Sequence, residues 1–179
     1  MTLSHFAAIG LVTAAAFFDI TRHRIPNLLT YPSWALGLVL GAAAAGLDGV
    51  NDALLGFAAG FFPLLLMFMG VSLGGGDVKL MGGVGALLGF PAGLNALISS
   101  ILVGGFFAAI ILLWQGRLIP ILKYAASKLW SKVWPVHVPL HAPPEHKDAF
   151  PFGVAIALGT YLTLVSIQLG AQTPGNLFS

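Results

Sequence analysis

Residues 53–80 read ALLGFAAGFFPLLLMFMGVSLGGGDVKL. The first 21 of them, 53–73, carry no charged side chain. An uncharged apolar run of that length matches the roughly 20 residues a helix needs to cross the hydrocarbon core of a bilayer. It is followed at once by three glycines, an acid at Asp77 and a base at Lys79. Working outward, similar apolar runs occupy about 3–20, 29–47, 80–91, 94–116 and 150–170. The fold class expected is all-α: a polytopic membrane protein of six transmembrane helices. It has a glycine-rich loop before the fourth helix and a basic interfacial helix after the fifth, and 1–179 reads as a single integral membrane domain.

Composition agrees. Of 179 residues, 58% are hydrophobic and 8% charged, against roughly a quarter charged in soluble domains. The mean hydropathy is +0.93. Too little charge remains to clothe a water-facing surface, which excludes a disordered chain and an ordinary soluble domain. With no cysteine there is no disulfide, thiolate metal site or cysteine nucleophile. The small-residue pairs Gly37/Gly41, Gly56/Gly60 and Gly85/Gly89 suit close helix–helix packing and report no function. A net charge of +2 comes from basic residues beside apolar runs, which favours a membrane surface over nucleic acid.

The fourth run is short and rich in glycine, so a re-entrant segment is the alternative to a crossing. Charge placement decides. Arg22 and Arg24 follow the first run and Lys79 precedes the fourth; Arg117, Lys123, Lys128 and Lys132 follow the fifth, and Lys147 precedes the sixth. If all six runs cross, every basic residue lies on one side, which the positive-inside rule makes cytoplasmic. Both termini then lie outside, as expected for a cell (inner) membrane protein. The first run has Ala14-Ala15-Ala16 but no Lys or Arg before it, so it reads as a span and not as a cleaved signal.

Residues 117–149 form one long cytoplasmic connection. RLIPILKYAASKLWSKVW alternates Lys123, Lys128 and Lys132 with Leu129, Trp130 and Trp134, the pattern of a basic helix lying on anionic lipid. His137, His141 and His146 stand on a proline-broken stretch that fixes no common face, so no metal site is expected.

The six acids sort by place. Asp48 and Asp52 flank an outer polar turn and read as loop residues, with Asp52 a possible cap of the third helix. Glu145 and Asp148 lie in the long loop. Asp19 and Asp77 differ: the topology puts both at the cytoplasmic end of the membrane. Two carboxylates at one depth can meet, share a proton, and act as general base for water and general acid for a carbonyl oxygen. Structural roles stand beside that chemistry. Asp19 can pair with Arg22 one turn on, and Asp77 can pair with Lys79 or cap the fourth helix. Acids in a membrane also serve cation- or proton-coupled transport. Gly74-Gly75-Gly76 lacks the Gly-Lys-Ser/Thr ending of a phosphate loop. The three glycines instead offer bare backbone beside Asp77, where an extended peptide can approach.

Three segments together resemble the type IV prepilin peptidases. Asp19-Ile20-Thr21-Arg22-His23-Arg24-Ile25-Pro26-Asn27 resembles the family's first-aspartate motif. Gly74-Gly75-Gly76-Asp77-Val78-Lys79-Leu80 resembles its Gly-x-Gly-Asp motif, and Pro151-Phe152-Gly153 its late Pro-aromatic-Gly. The resemblance implies an intramembrane aspartyl protease that uses no cofactor and cleaves the leader of prepilins or pseudopilins at the cytoplasmic face. It implies Asp19 and Asp77 as the catalytic pair. Gly74, Gly75, Gly76, Lys79, Ile25, Pro26, Asn27, Pro151 and Gly153 would be supporting residues. The large members carry a four-cysteine cytoplasmic domain that accompanies N-methylation; this chain has none, and resembles the short peptidase-only branch of tight-adherence (Flp-type) pili. The partners so implied are a prepilin helix and the lipid bilayer, with no nucleic acid. A cation-coupled transporter and a non-enzymatic pilus-assembly scaffold are the competing functions.

Overall fold

The computed structural model describes residues 2–70, 74–116, 119 and 152–170. All regular structure among them is helical: α1 (Leu3–Arg22), α2 (Asn27–Gly70), α3 (Gly75–Leu88), α4 (Ala92–Trp114) and α5 (Phe152–Gln168). Contacts group residues 1–104 with 151–179 into one compact unit and 105–150 into a second. The described part of the second is the C-terminal half of α4 and the turn after it. The expected interfacial helix, the three histidines of the 117–149 connection and Pro151 lie outside the described residues.

Three helices, α1, α2 and α4, are long and apolar enough to cross a membrane; α5 is apolar but shorter. Large apolar side chains stand outward along them, including Phe6, Phe17, Val39, Phe62, Leu66 and Leu102, as lipid-facing surfaces require.

α2 holds the second and third apolar runs in 44 residues. As a straight rod it would be about 66 Å long, twice the hydrocarbon thickness. Instead Ala45 and Gly46 leave helical geometry (Gly46 φ 60°), a positive φ that glycine adopts without a Cβ penalty. The chain folds back there. Gly41 and Gly49 meet backbone to backbone, although eight residues along a straight helix span about 12 Å. The two halves then flank α3 in opposite senses. Along the first, Ser33 meets Gly83 and Gly37 meets Ala86; along the second, Gly56 meets Gly85 and Gly60 meets Met81. Thus the glycine pairs mark backbone contacts.

A Cβ on Gly85 would lie 2.7 Å from the carbonyl carbon of Gly56, and neither backbone can yield. Gly85→Val is therefore expected to cost at least about 1–3 kcal/mol by overpacking. Its membrane accumulation and detergent melting temperature should fall well below those of Gly10→Ala, where a Cβ meets open space.

Helix α5 runs against α1, with the Thr13 and Tyr161 hydroxyls hydrogen-bonded at 2.5 Å. The first half of α4 packs on it through Ser100 against Gly159 and Gly104 against Phe152. The core joins Leu11, Val12, Leu64, Leu80, Met81, Val84 and Ile156. Buried hydroxyls there close on carbonyls one turn back, Ser100 on Ala96 and Thr160 on Ile156, so no buried polar side chain is stranded among the described residues.

Two sequence expectations change. The glycine-rich segment is not a loop up to the fourth run at 80–91: α3 begins at Gly75, with Gly74 as N-cap and Asp77 in its first turn. A helix N-terminus accommodates an acid there by satisfying otherwise unpaired N–H groups. Asp48 and Asp52 are also helical, within α2. Asp52 Oδ1 accepts the Phe90 N–H at 3.0 Å and so latches the link between α3 and α4 instead of capping its own helix.

Candidate active site

The segment between α1 and α2 shapes one end of the bundle. His23 closes α1 in a left-handed conformation (φ 49°, ψ 31°), its N–H on the Asp19 carbonyl at 2.9 Å. Pro26 then disfavours helix at Ile25 and sets the entry to α2. Ile25 lands on the first turn of α3: a Cβ on Gly76 would sit 3.1 Å from Ile25 Cβ. Bare backbone at Gly76 is what lets the two segments touch.

Asp19 is in the last turn of α1 and 7% exposed; Asp77 is in the first turn of α3 and 8% exposed. Each carboxylate lies against the backbone at the start of a helix. The Gly153 N–H, opening α5, donates to Asp19 Oδ2 at 2.7 Å. The Asp77 carboxylate lies against the backbone of Gly74, the N-cap of its own helix. The two carboxylates are close enough for their charges to act on each other.

Both backbone neighbours are glycines, which leaves the carboxylates room. A Cβ on Gly153 would lie 2.7 Å from Asp19 Oδ2, and one on Gly74 2.8 Å from Asp77 Oδ2. Any side chain at either position pushes into the neighbouring carboxylate.

The cations nearby are committed elsewhere. Lys79 Nζ donates to Asn27 Oδ1 at 2.9 Å and lies 5.0 Å from the Tyr31 ring centroid. The Arg22 guanidinium sits over Phe18 at 5.5 Å. The pairings of Asp77 with Lys79 and of Asp19 with Arg22 that the sequence left open give way to these contacts.

The structure therefore brings Asp19, Ile25, Pro26, Asn27, Gly74, Gly75, Gly76, Asp77, Lys79 and Gly153 to one end of the bundle. Sequence reading missed two participants, Trp34 and Tyr31 of α2. Trp34 Nε1 donates to the Lys79 carbonyl at 2.9 Å; aromatic residues one and two turns after Asn27 were the signal available. No group of three or more His, Asp or Glu able to hold a metal occurs among the described residues. The opposite end has a cavity of about 460 Å³ lined by His5, Asp48, Asp52 and small residues, at the far ends of these helices from the acid pair. Two neighbouring buried carboxylates can accept and deliver a proton on one bound molecule.

Residues 6–109 match the sequence profile of the type IV leader peptidase family. No curated protein and no solved structure matches the chain.

Proposed function

The chain belongs to the type IV leader peptidase family, and from that premise we propose that it is an aspartyl endopeptidase whose catalytic pair is Asp19 and Asp77. It cleaves the leader of Flp-type prepilins or pseudopilins at the cytoplasmic face of the cell membrane. The observation that carries this is the convergence, from helices far apart in sequence, of two buried carboxylates, that of Asp19 anchored by the Gly153 N–H and that of Asp77 set against the bare backbone of Gly74.

The chemistry needs only those groups. Water lies between the carboxylates and the scissile carbonyl. One aspartate takes a proton from the water as its oxygen bonds to the carbonyl carbon. The other, protonated, gives its proton to the carbonyl oxygen as charge develops there. The tetrahedral carbon then releases the amine, which leaves with the proton held by the first aspartate, while one hydroxyl on that carbon returns its proton to the second aspartate and becomes the carbonyl of the new carboxyl group. Anchoring of Asp19 Oδ2 by Gly153 leaves Oδ1 for this work. Helix α3, at 14 residues, is about 21 Å long, against roughly 30 Å of hydrocarbon. If it crosses with the other five runs, Asp77 at its start is set within the apolar layer, where a substrate helix can present its end.

The test is reconstitution of the chain with an Flp-type prepilin in lipid vesicles. The expected product is a mature pilin whose mass carries no added methyl group even when a methyl donor is supplied. Its rate of formation should be unchanged by a chelator, because no step uses a metal. A methylated product overturns the peptidase-only reading, and chelator inhibition overturns the aspartyl mechanism.

A further inference from the structure

Lys79 lies two residues after Asp77. At 100° per residue they point about 200° apart around α3. Asp77 acts on Asp19 across the α1 side, while Lys79 reaches the opposite way to α2. Three contacts hold it there. Nζ donates to Asn27 Oδ1 at 2.9 Å, the ammonium sits 5.0 Å from the Tyr31 ring, and the carbonyl accepts Trp34 Nε1 at 2.9 Å. Trp34 is itself braced, its ring centroid 4.9 Å from Phe57 and 5.8 Å from Phe61. Those two rings close on bare backbone at Gly82, where a Cβ would lie 2.9 Å from Phe57.

The entry to α3, in contrast, is Gly74-Gly75-Gly76, which contributes no side chain of its own to wedge the helix. Backbone contacts at Gly82, Gly83 and Gly85 seat the later turns of α3; nearer Asp77, Val78 and Leu80 are buried, but apolar burial is non-directional and tolerates small rotations that hydrogen bonds do not.

We propose that Lys79 is a positioning residue: anchored to Asn27, Tyr31 and Trp34, it fixes the rotation of α3 about its axis and so turns Asp77 towards Asp19. This rests on the acid pair being catalytic, and it gives Lys79 no contact with the substrate. The lock is an ammonium on an amide oxygen and a ring face, so arginine can replace lysine and an apolar chain of equal length cannot.

Two readouts test it. In the cleavage assay, Lys79→Met is expected to lower kcat on the order of a hundredfold, the scale of a roughly 1 Å misplacement of a reacting group, with KM unchanged. Lys79→Arg should restore most of the rate. Asn27→Leu, which keeps Lys79 but removes its acceptor, should reproduce the loss, and the Lys79→Met/Asn27→Leu double variant should be no worse than either alone.

The second readout is independent of activity. The chain has no cysteine, so Asp19→Cys with Asp77→Cys places thiols at the two positions alone. A short thiol-to-thiol cross-linker applied to the full-length protein in membranes should join them with Lys79 present, and far more slowly with Lys79→Met. Equal cross-linking in both backgrounds, or an unchanged kcat in Lys79→Met, overturns the lock. Cleavage persisting in Asp77→Asn instead overturns the catalytic reading, and leaves the cross-linking result as the measure of rotation alone.

Discussion

Asp19→Asn and Asp77→Asn are each expected to abolish leader cleavage, lowering the rate by roughly 10² to 10⁴-fold, the share general acid–base catalysis supplies. Each protein should still accumulate in the membrane at its usual level. Asparagine keeps the volume of aspartate at two sites that are 7% and 8% exposed. Its amide oxygen can still accept the Gly153 N–H, which donates to Asp19 Oδ2 at 2.7 Å. What it cannot do is take a proton and return it. Because the two acids serve the same step, one on the water and one on the carbonyl oxygen, their losses should not add: the double variant should be about as impaired as either single one. The measurement is conversion of a co-expressed prepilin, followed by the mass of the product, with the amount of enzyme quantified alongside. Cleavage at the normal rate in either variant removes that residue from the catalytic pair.

Gly153→Ala is expected to separate activity from stability. In a helix alanine is better than glycine by up to about 1 kcal/mol, so α5 itself should not suffer. The new Cβ, however, would lie 2.7 Å from Asp19 Oδ2 and 3.1 Å from its Cγ. The carboxylate must swing away, and the Gly153 N–H bond that anchors it is lost. Cleavage should fall on the order of a hundredfold while the melting temperature in detergent stays within a few degrees of wild type. Gly10→Ala in α1, with nothing within 4 Å of the added Cβ, is the control and should cleave normally. A Gly153→Ala enzyme as active as that control shows that the contact to Asp19 does not matter for the reaction.

Much of this was readable from the chain alone, and for a physical reason. Charge is costly in hydrocarbon, so an uncharged run such as 53–73 declares its environment whatever surrounds it. The same cost leaves few acids to consider, and sorting them by loop parity puts Asp19 and Asp77 at one depth. Backbone rules are equally local, though less decisive: the proline after Ile25 does mark the break before α2, while Gly75 and Gly76 lie within α3 and Pro32 and Pro63 within α2.

Facing is another matter. These helices are apolar nearly all round, so periodicity does not tell which side of α1 meets α5 or which side of α3 meets α2. The hydrogen bond from Gly153 to Asp19 joins residues 134 apart, and that from Lys79 to Asn27 joins residues 52 apart. Only close packing of glycine-lined backbones brings them within reach. The same packing turned Asp52 from an apparent loop residue into a latch on Phe90, and drew Gly75, Gly76 and Asp77 into the first turn of α3. By itself the sequence determined the solvent, the number of apolar runs and the acids worth following. The tertiary structure alone decided which backbone N–H holds Asp19 and which side of α3 Lys79 ties down, because those contacts depend on the rotation of each helix, and an apolar helix carries no mark of its rotation in its sequence.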